Sequence, residues 1–137
     1  MLDDNESGFN KKDLKVIVID DSDFSRRSMV SVLGNAGYTV IGDTKIPDEA
    51  AALIAATKCH LAIIDVVMPE MNGIDLARDL KDNNKDLYII MVSSLTQENL
   101  VIEAISAGAS DFIPKPFTEQ VLLDSVEKIV SFVEGEQ

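Results

Sequence analysis

The stretch Lys15-Val16-Ile17-Val18-Ile19-Asp20-Asp21 decides the fold. Four β-branched residues stand in a row with no polar residue between them. A strand with one wet face alternates; a continuous run suits a strand covered on both faces, as in a parallel sheet. The run stops at two carboxylates. A second run, Leu61-Ala62-Ile63-Ile64, stops at Asp65, and a third, Leu87 to Val92, stops at Ser93.

The segments between these runs read as helices. Phe24 to Ala36 has apolar residues at Met29, Val30, Val32 and Leu33, and Gly37 follows as a stop signal. Pro47 opens a helix at a position that tolerates proline, and the alanine-rich stretch carries it to about Thr57. Asn72–Asp82 sets Leu76 and Leu80 on one face. Thr96 is expected to cap a helix to Ala107, with Gly108 beyond it, and Thr118 to cap a last helix to about Val133. Tyr38–Ile41 and Asp111–Ile113 complete the strands. Five β-α units in alternation predict an α/β fold, a three-layer (βα)5 sandwich around a parallel sheet.

One domain is expected over 14–133, preceded by a flexible acidic tail over 1–13 and followed by a short tail over 134–137. Hydrophobic residues make up 46% of the 137, enough for a core, and no apolar run approaches the span of a bilayer. The start, acidic and polar, has no signal-peptide pattern, so a cytoplasmic location is expected. The net charge of −12 argues against nucleic acid and against anionic lipid, and leaves divalent cations and basic protein surfaces as partners. Cys59 is the single cysteine and His60 the single histidine. They cannot form an intrachain disulfide or a four-ligand zinc site, and a structural role is expected for both.

Polar residues gather at the carboxyl ends of the strands: Asp20 and Asp21, Asp65, Ser93, and Lys115 after the fifth strand. In an open parallel sheet that edge is where ligands bind. Carboxylates close together repel unless a cation joins them, and hard oxygen ligands suit Mg²⁺. A lysine and a hydroxyl beside such a metal can surround the oxygens of a phosphoryl group, and one carboxylate would be its acceptor.

The segments IVIDDSDFSRR, AIIDVVMPEMNGID, IIMVSS and AGASDFIPKPF resemble the signature blocks of response-regulator receiver domains, most of all the single-domain chemotaxis regulators of the CheY-like type. The resemblance spans about residues 14 to 133. It implies a flavodoxin-like sheet of order 2-1-3-4-5, with Asp65 as phosphoacceptor. Asp20 and Asp21 would hold Mg²⁺, Asp21 the more directly, with the backbone carbonyl of Val67 as a further ligand. Ser93 and Lys115 would meet phosphoryl oxygens, the Lys115–Pro116 bond would be cis, and Phe112 would be the aromatic switch residue paired with Ser93. The donor would be the phosphohistidine of a histidine kinase, with weak autodephosphorylation. The output would pass to a downstream protein target, a flagellar switch or another, from a monomer or a phosphorylation-dependent dimer. Val67 is apolar where several relatives carry a polar residue, and Pro114 before Lys115 is unusual for the family.

Three other readings compete. Asp21-Ser22-Asp23-Phe24-Ser25 fits the D-x-D-x-[ST] motif of haloacid-dehalogenase-type phosphatases, with Asp21 as nucleophile, but leaves Asp65 and its MPEMNG tail unexplained. A nucleotide- or flavin-binding module would need a glycine-rich loop where Asp20-Asp21-Ser22-Asp23 stands. A phosphorylation-independent adaptor on the receiver fold would not need all five site residues.

Overall fold

The computed structural model describes residues 8–136. The strands are β1 (Lys15–Ile19), β2 (Thr39–Thr44), β3 (Leu61–Asp65), β4 (Tyr88–Ser93) and β5 (Asp111–Pro114). The helices are α1 (Asp23–Asn35), α2 (Pro47–Thr57), α3 (Gly73–Asn83), α4 (Glu98–Ser106) and α5 (Glu119–Gly135). The five strands form one parallel sheet in the order β2-β1-β3-β4-β5. This is the flavodoxin-like order that the resemblance implies.

The unbroken apolar runs are explained by what covers them. Val16 and Val18 face a cluster with Met29 and Leu33 of α1 and Leu122, Val126 and Ile129 of α5. Ile17 and Ile19 face the opposite cluster, with Ile54 of α2, Ile74 and Leu80 of α3 and Ala104 of α4. The sheet thus lies between a layer of two helices and a layer of three. Val16 to Ile19 and Leu61 to Ile64 are all 0% exposed. Full burial of a Val, Leu or Ile side chain contributes roughly 1.5–3 kcal/mol, so these two strands anchor the domain.

Side chains start three of the helices. Ser22 Oγ accepts the Ser25 N–H at 3.1 Å at the head of α1, and Asn72 Oδ1 accepts the Ile74 N–H at 2.7 Å at the head of α3. Thr118 Oγ1 accepts the Val121 N–H at 3.2 Å and caps α5 as expected. Pro47 stands in the first turn of α2.

Four boundaries differ from expectation. Gln97, not Thr96, precedes α4, and it caps with no side-chain bond. Strand β2 runs on to Thr44, because Gly42, Asp43 and Thr44 pair with Ile17, Val18 and Ile19 beyond a register shift. The tail assigned to 1–13 does not stay solvated to its end. Phe9 packs on the α1–α5 cluster and stands edge-on to the His60 ring at 5.3 Å, and Lys11–Asp13 makes a 3-10 turn. Residues 1–7 of that expected tail, and Gln137, lie outside the described residues. At the other end α5 continues to Gly135, so the tail assigned to 134–137 begins inside a helix. The Tyr88 hydroxyl donates to Glu136 there. Among the described residues no helix is long and apolar enough to cross a membrane.

Candidate functional site

At the carboxyl end of β1, Asp20 is 0% exposed. A buried carboxylate is strongly destabilising unless donors meet its oxygens, and here both oxygens are met. Oδ1 accepts the Ser22 N–H at 2.9 Å. Oδ2 accepts the Ser25 hydroxyl at 2.8 Å and the Lys115 ammonium at 2.8 Å. The first turn of α1 and the loop after β5 are both tied to this one side chain.

Asp65 ends β3 and is buried. Its Oδ1 accepts the Val67 N–H at 3.3 Å, and its Oδ2 lies 3.6 Å from Lys115 Nζ. Burial, and next the charge of Asp20, push its carboxyl up to about 6, against the pull of Lys115 and of the Val67 N–H. Two buried carboxylates therefore share one ammonium, and the site is short of positive charge.

Backbone pairing brings Ser93 and Lys115 together. Ser93 sits opposite Pro114 in the β4–β5 register, and the Lys115 N–H donates to the Ser93 carbonyl at 2.7 Å. The Ser93 hydroxyl is buried and accepts the Leu95 N–H at 3.0 Å. Strand β5 lies at the sheet edge, where the missing N–H of Pro114 is tolerated. The Lys115–Pro116 peptide is cis, as the resemblance implies. Phe112 pairs with Met91 and lies half-buried against the cluster beneath α2, α3 and α4. Val67 is exposed at the mouth of the site.

The expected acidic pair is divided. Asp20 is sealed in, whereas Asp21 is exposed. Among the described residues no group of three His, Cys, Asp or Glu stands ready to hold a metal ion. The expected gathering of Asp20, Asp21 and Asp65 is thus not preassembled. The Lys115 ammonium supplies the positive charge between Asp20 and Asp65 instead.

Arg26 was not singled out by the sequence. It is 9% exposed, and three acceptors hold its guanidinium: the Asp20 carbonyl at 2.9 Å, Asp43 at 2.8 Å and Asp23 at 2.7 Å. It locks the ends of β1 and β2 to the head of α1, and its bonds to these carboxylates raise its pKa further. Cys59 and His60 lie at the opposite edge of the sheet. The Cys59 thiol is buried and pushed up to about 11, and His60 Nδ1 accepts the Lys15 N–H at 2.9 Å.

An open parallel sheet crossing over beside β1, with buried carboxylates at its carboxyl edge, defines a doubly wound flavodoxin-like domain. Residues 16–127 match the response regulator receiver domain, and the chain belongs to that family. It is 36% identical over 115 residues to the chemotaxis protein CheY of Thermotoga maritima, covering 84% of this chain and 96% of the relative. With the CheY of Bacillus subtilis the identity is 32% over 117 residues, 85% of this chain and 98% of that one. Among solved structures, a response regulator from Thermotoga maritima is similar at a TM-score of 0.77 and 31% identity, covering 85% of this chain and 97% of that one. A chain of the CheX–CheY–BeF3–Mg²⁺ complex from Borrelia burgdorferi reaches 0.80 at 26% identity, covering 85% of this chain and 88% of that one.

Proposed function

We propose that this receiver domain is a cytoplasmic switch of two-component signalling, phosphorylated on Asp65 from the phosphohistidine of a histidine kinase. The observation that carries the reading is the position of Lys115. It is bonded to Asp20 at 2.8 Å, and Asp65, whose carboxyl burial holds high, lies 3.6 Å away.

An Asp65 carboxylate oxygen attacks phosphorus. The N–P bond of the donor breaks, its electron pair returns to the imidazole, and an acyl phosphate forms on Asp65. Charge develops on the phosphoryl oxygens as this happens. Lys115 neutralises part of it and the Ser93 hydroxyl donates to another oxygen. Asp20, Asp21, Asp65 and the Val67 carbonyl would hold Mg²⁺. The donor set is all hard oxygen and the site is short of positive charge, which fits that ion. When bound, Mg²⁺ would screen the negative charge of the incoming group. Phosphorylation then shifts the populations of two states, with Ser93 and Phe112 as the moving pair and the face of α4, β5 and α5 as the surface that a partner reads. A role in chemotaxis rests on the names of the relatives, and a flagellar switch as target is one output that the family resemblance implies.

Acetyl phosphate with Mg²⁺, followed by peptide mass spectrometry, tests the reading. A single adduct on Asp65, lost in Asp65→Asn, is expected. An adduct on Asp21 would support the phosphatase alternative and overturn the proposal. No adduct at all would leave a phosphorylation-independent adaptor.

A further inference from the structure

The proposed chemistry requires Lys115 to change partners. It is bonded to Asp20 Oδ2 at 2.8 Å, while Asp65 at 3.6 Å is beyond hydrogen-bond reach. As a phosphoryl group forms on Asp65, its charge draws the ammonium from Asp20 toward the new oxygens. Asp20 is 0% exposed, so bulk water does not reach that oxygen, and until the ion proposed for this site is seated only groups already beside it can meet it. A buried carboxylate oxygen stripped of its donor costs more than the bond itself was worth.

A second donor is already on that oxygen. The Ser25 hydroxyl reaches Asp20 Oδ2 at 2.8 Å, the same distance as Lys115. Its backbone is held by α1, the Ser25 N–H donating to Ser22 Oγ at 3.1 Å. Asp20 Oδ1 is separately held by the Ser22 N–H. Ser25 therefore stays in place when Lys115 leaves.

We infer that Ser25 is a positioning residue, whose hydroxyl keeps Asp20 satisfied while Lys115 passes to the phosphoryl group on Asp65. It acts through Asp20 and does not touch the phosphoryl group. The inference rests on Asp65 as phosphoacceptor and names a residue outside the five that make up the proposed site. Ser25 also borders a cleft of about 340 Å³, shared with Phe24, Ser28, Lys115 and Pro116. Truncating it opens no void in the packed core, so its removal changes one hydrogen bond and little else.

The experiment follows the rate of Asp65 labelling by acetyl phosphate with Mg²⁺, in the Lys115 and Lys115→Met backgrounds. With Lys115 present, Ser25→Ala slows labelling about tenfold, the scale of one hydrogen bond to a charged group. Ser25→Thr, which keeps the hydroxyl, stays within about twofold of the parent. In the Lys115→Met background Ser25→Ala has no further effect, because no ammonium has to leave Asp20. The rise in unfolding temperature on adding beryllofluoride with Mg²⁺ should fall in Ser25→Ala and return in Ser25→Thr. Should Ser25→Ala fold poorly, Ser25→Cys, a weaker donor of similar size, takes its place. Labelling of Ser25→Ala at the parental rate, or equal slowing in both backgrounds, overturns the inference and leaves the phosphoacceptor reading standing. A parent that takes no label at Asp65 overturns both.

Discussion

Gly73 lies directly against the backbone of Asp65. A methyl group on Gly73 would stand 2.0 Å from the Asp65 carbonyl oxygen and 2.8 Å from Val66 Cα, and the Gly73 N–H donates to the Val66 carbonyl at 2.7 Å. The glycine of MPEMNGID therefore lets α3 begin against the strand that carries Asp65, the proposed phosphoacceptor. Both obstacles are backbone, so neither can rotate away.

Gly73→Ala should destabilise the domain by about 2–3 kcal/mol, the scale of overpacking a tight contact. It should slow Asp65 labelling as well, since relief of the clash moves the β3–α3 loop. Gly34 in α1 is the control. Nothing lies within 4 Å of where its methyl would stand, and its helical position favours alanine. Gly34→Ala should stabilise by about 0.5–1 kcal/mol. Urea unfolding of both variants separates steric exclusion at Gly73 from a general effect of glycine loss.

Asp65 gives the stability a pH dependence. Its carboxyl titrates near 6 in the fold, above the ordinary 3.8, mainly because it is buried and next because Asp20 is charged. The folded state thus binds this proton more tightly than the unfolded chain. Stability from this group is present below about 4, falls as pH rises through about 6, and stays low above it. With EDTA present, Asp65→Asn should exceed the parent by on the order of 2 kcal/mol at pH 7.5. The gap should close as pH drops toward 4. Chemical unfolding across that range measures it, and a gap independent of pH would refute the account.

Arg26 should be the most costly of the polar residues around the site to remove. Arg26→Met leaves Asp43 and Asp23 without their cation and the buried Asp20 carbonyl without its donor. The expected loss is about 3 kcal/mol. Arg26→Lys should recover less than half, since one ammonium cannot meet three acceptors in a fork. Thermal unfolding of the two variants is the measurement.

Arg26 also shows where the sequence stops being readable. It sits beside Arg27 in a first helical turn full of polar residues, and nothing local distinguishes the two. Arg26 is buried and Arg27 exposed, because Asp43 reaches Arg26 from the end of β2, a segment whose Gly-Asp-Thr composition reads as loop. The same limit hid Phe9, whose partner His60 is fifty-one positions away along the chain. Thr96 failed as a cap for a different reason: the chain after β4 turns back on Ser93 through the Leu95 N–H before α4 begins. What was legible had a period or a stop. The runs ending at Asp20, Asp65 and Ser93 show both burial and the edge where the carboxylates emerge. Asp20 and Asp21 follow β1 as a doublet, and nothing local shows that the first is sealed in by Ser22, Ser25 and Lys115 while the second is exposed.

Lys115→Met gives the sharpest test of the electrostatics. Lys115 lies in ion-pair range of Asp65 and holds its carboxyl down against burial and Asp20. With the ammonium gone, those two influences act unopposed from that side. The Asp65 titration should move above 6 in the metal-free protein, followed by carboxyl carbon NMR. Asp20 keeps Ser25 and the Ser22 N–H, so the domain should still fold, about 1–3 kcal/mol less stable. Labelling of Asp65 should remain detectable, because the attacking oxygen belongs to Asp65 itself. Partner binding, however, should no longer follow the label, since the side chain that links Asp65 to the β5–α5 loop is missing. A titration unmoved by Lys115→Met would mean that the ammonium serves Asp20 alone.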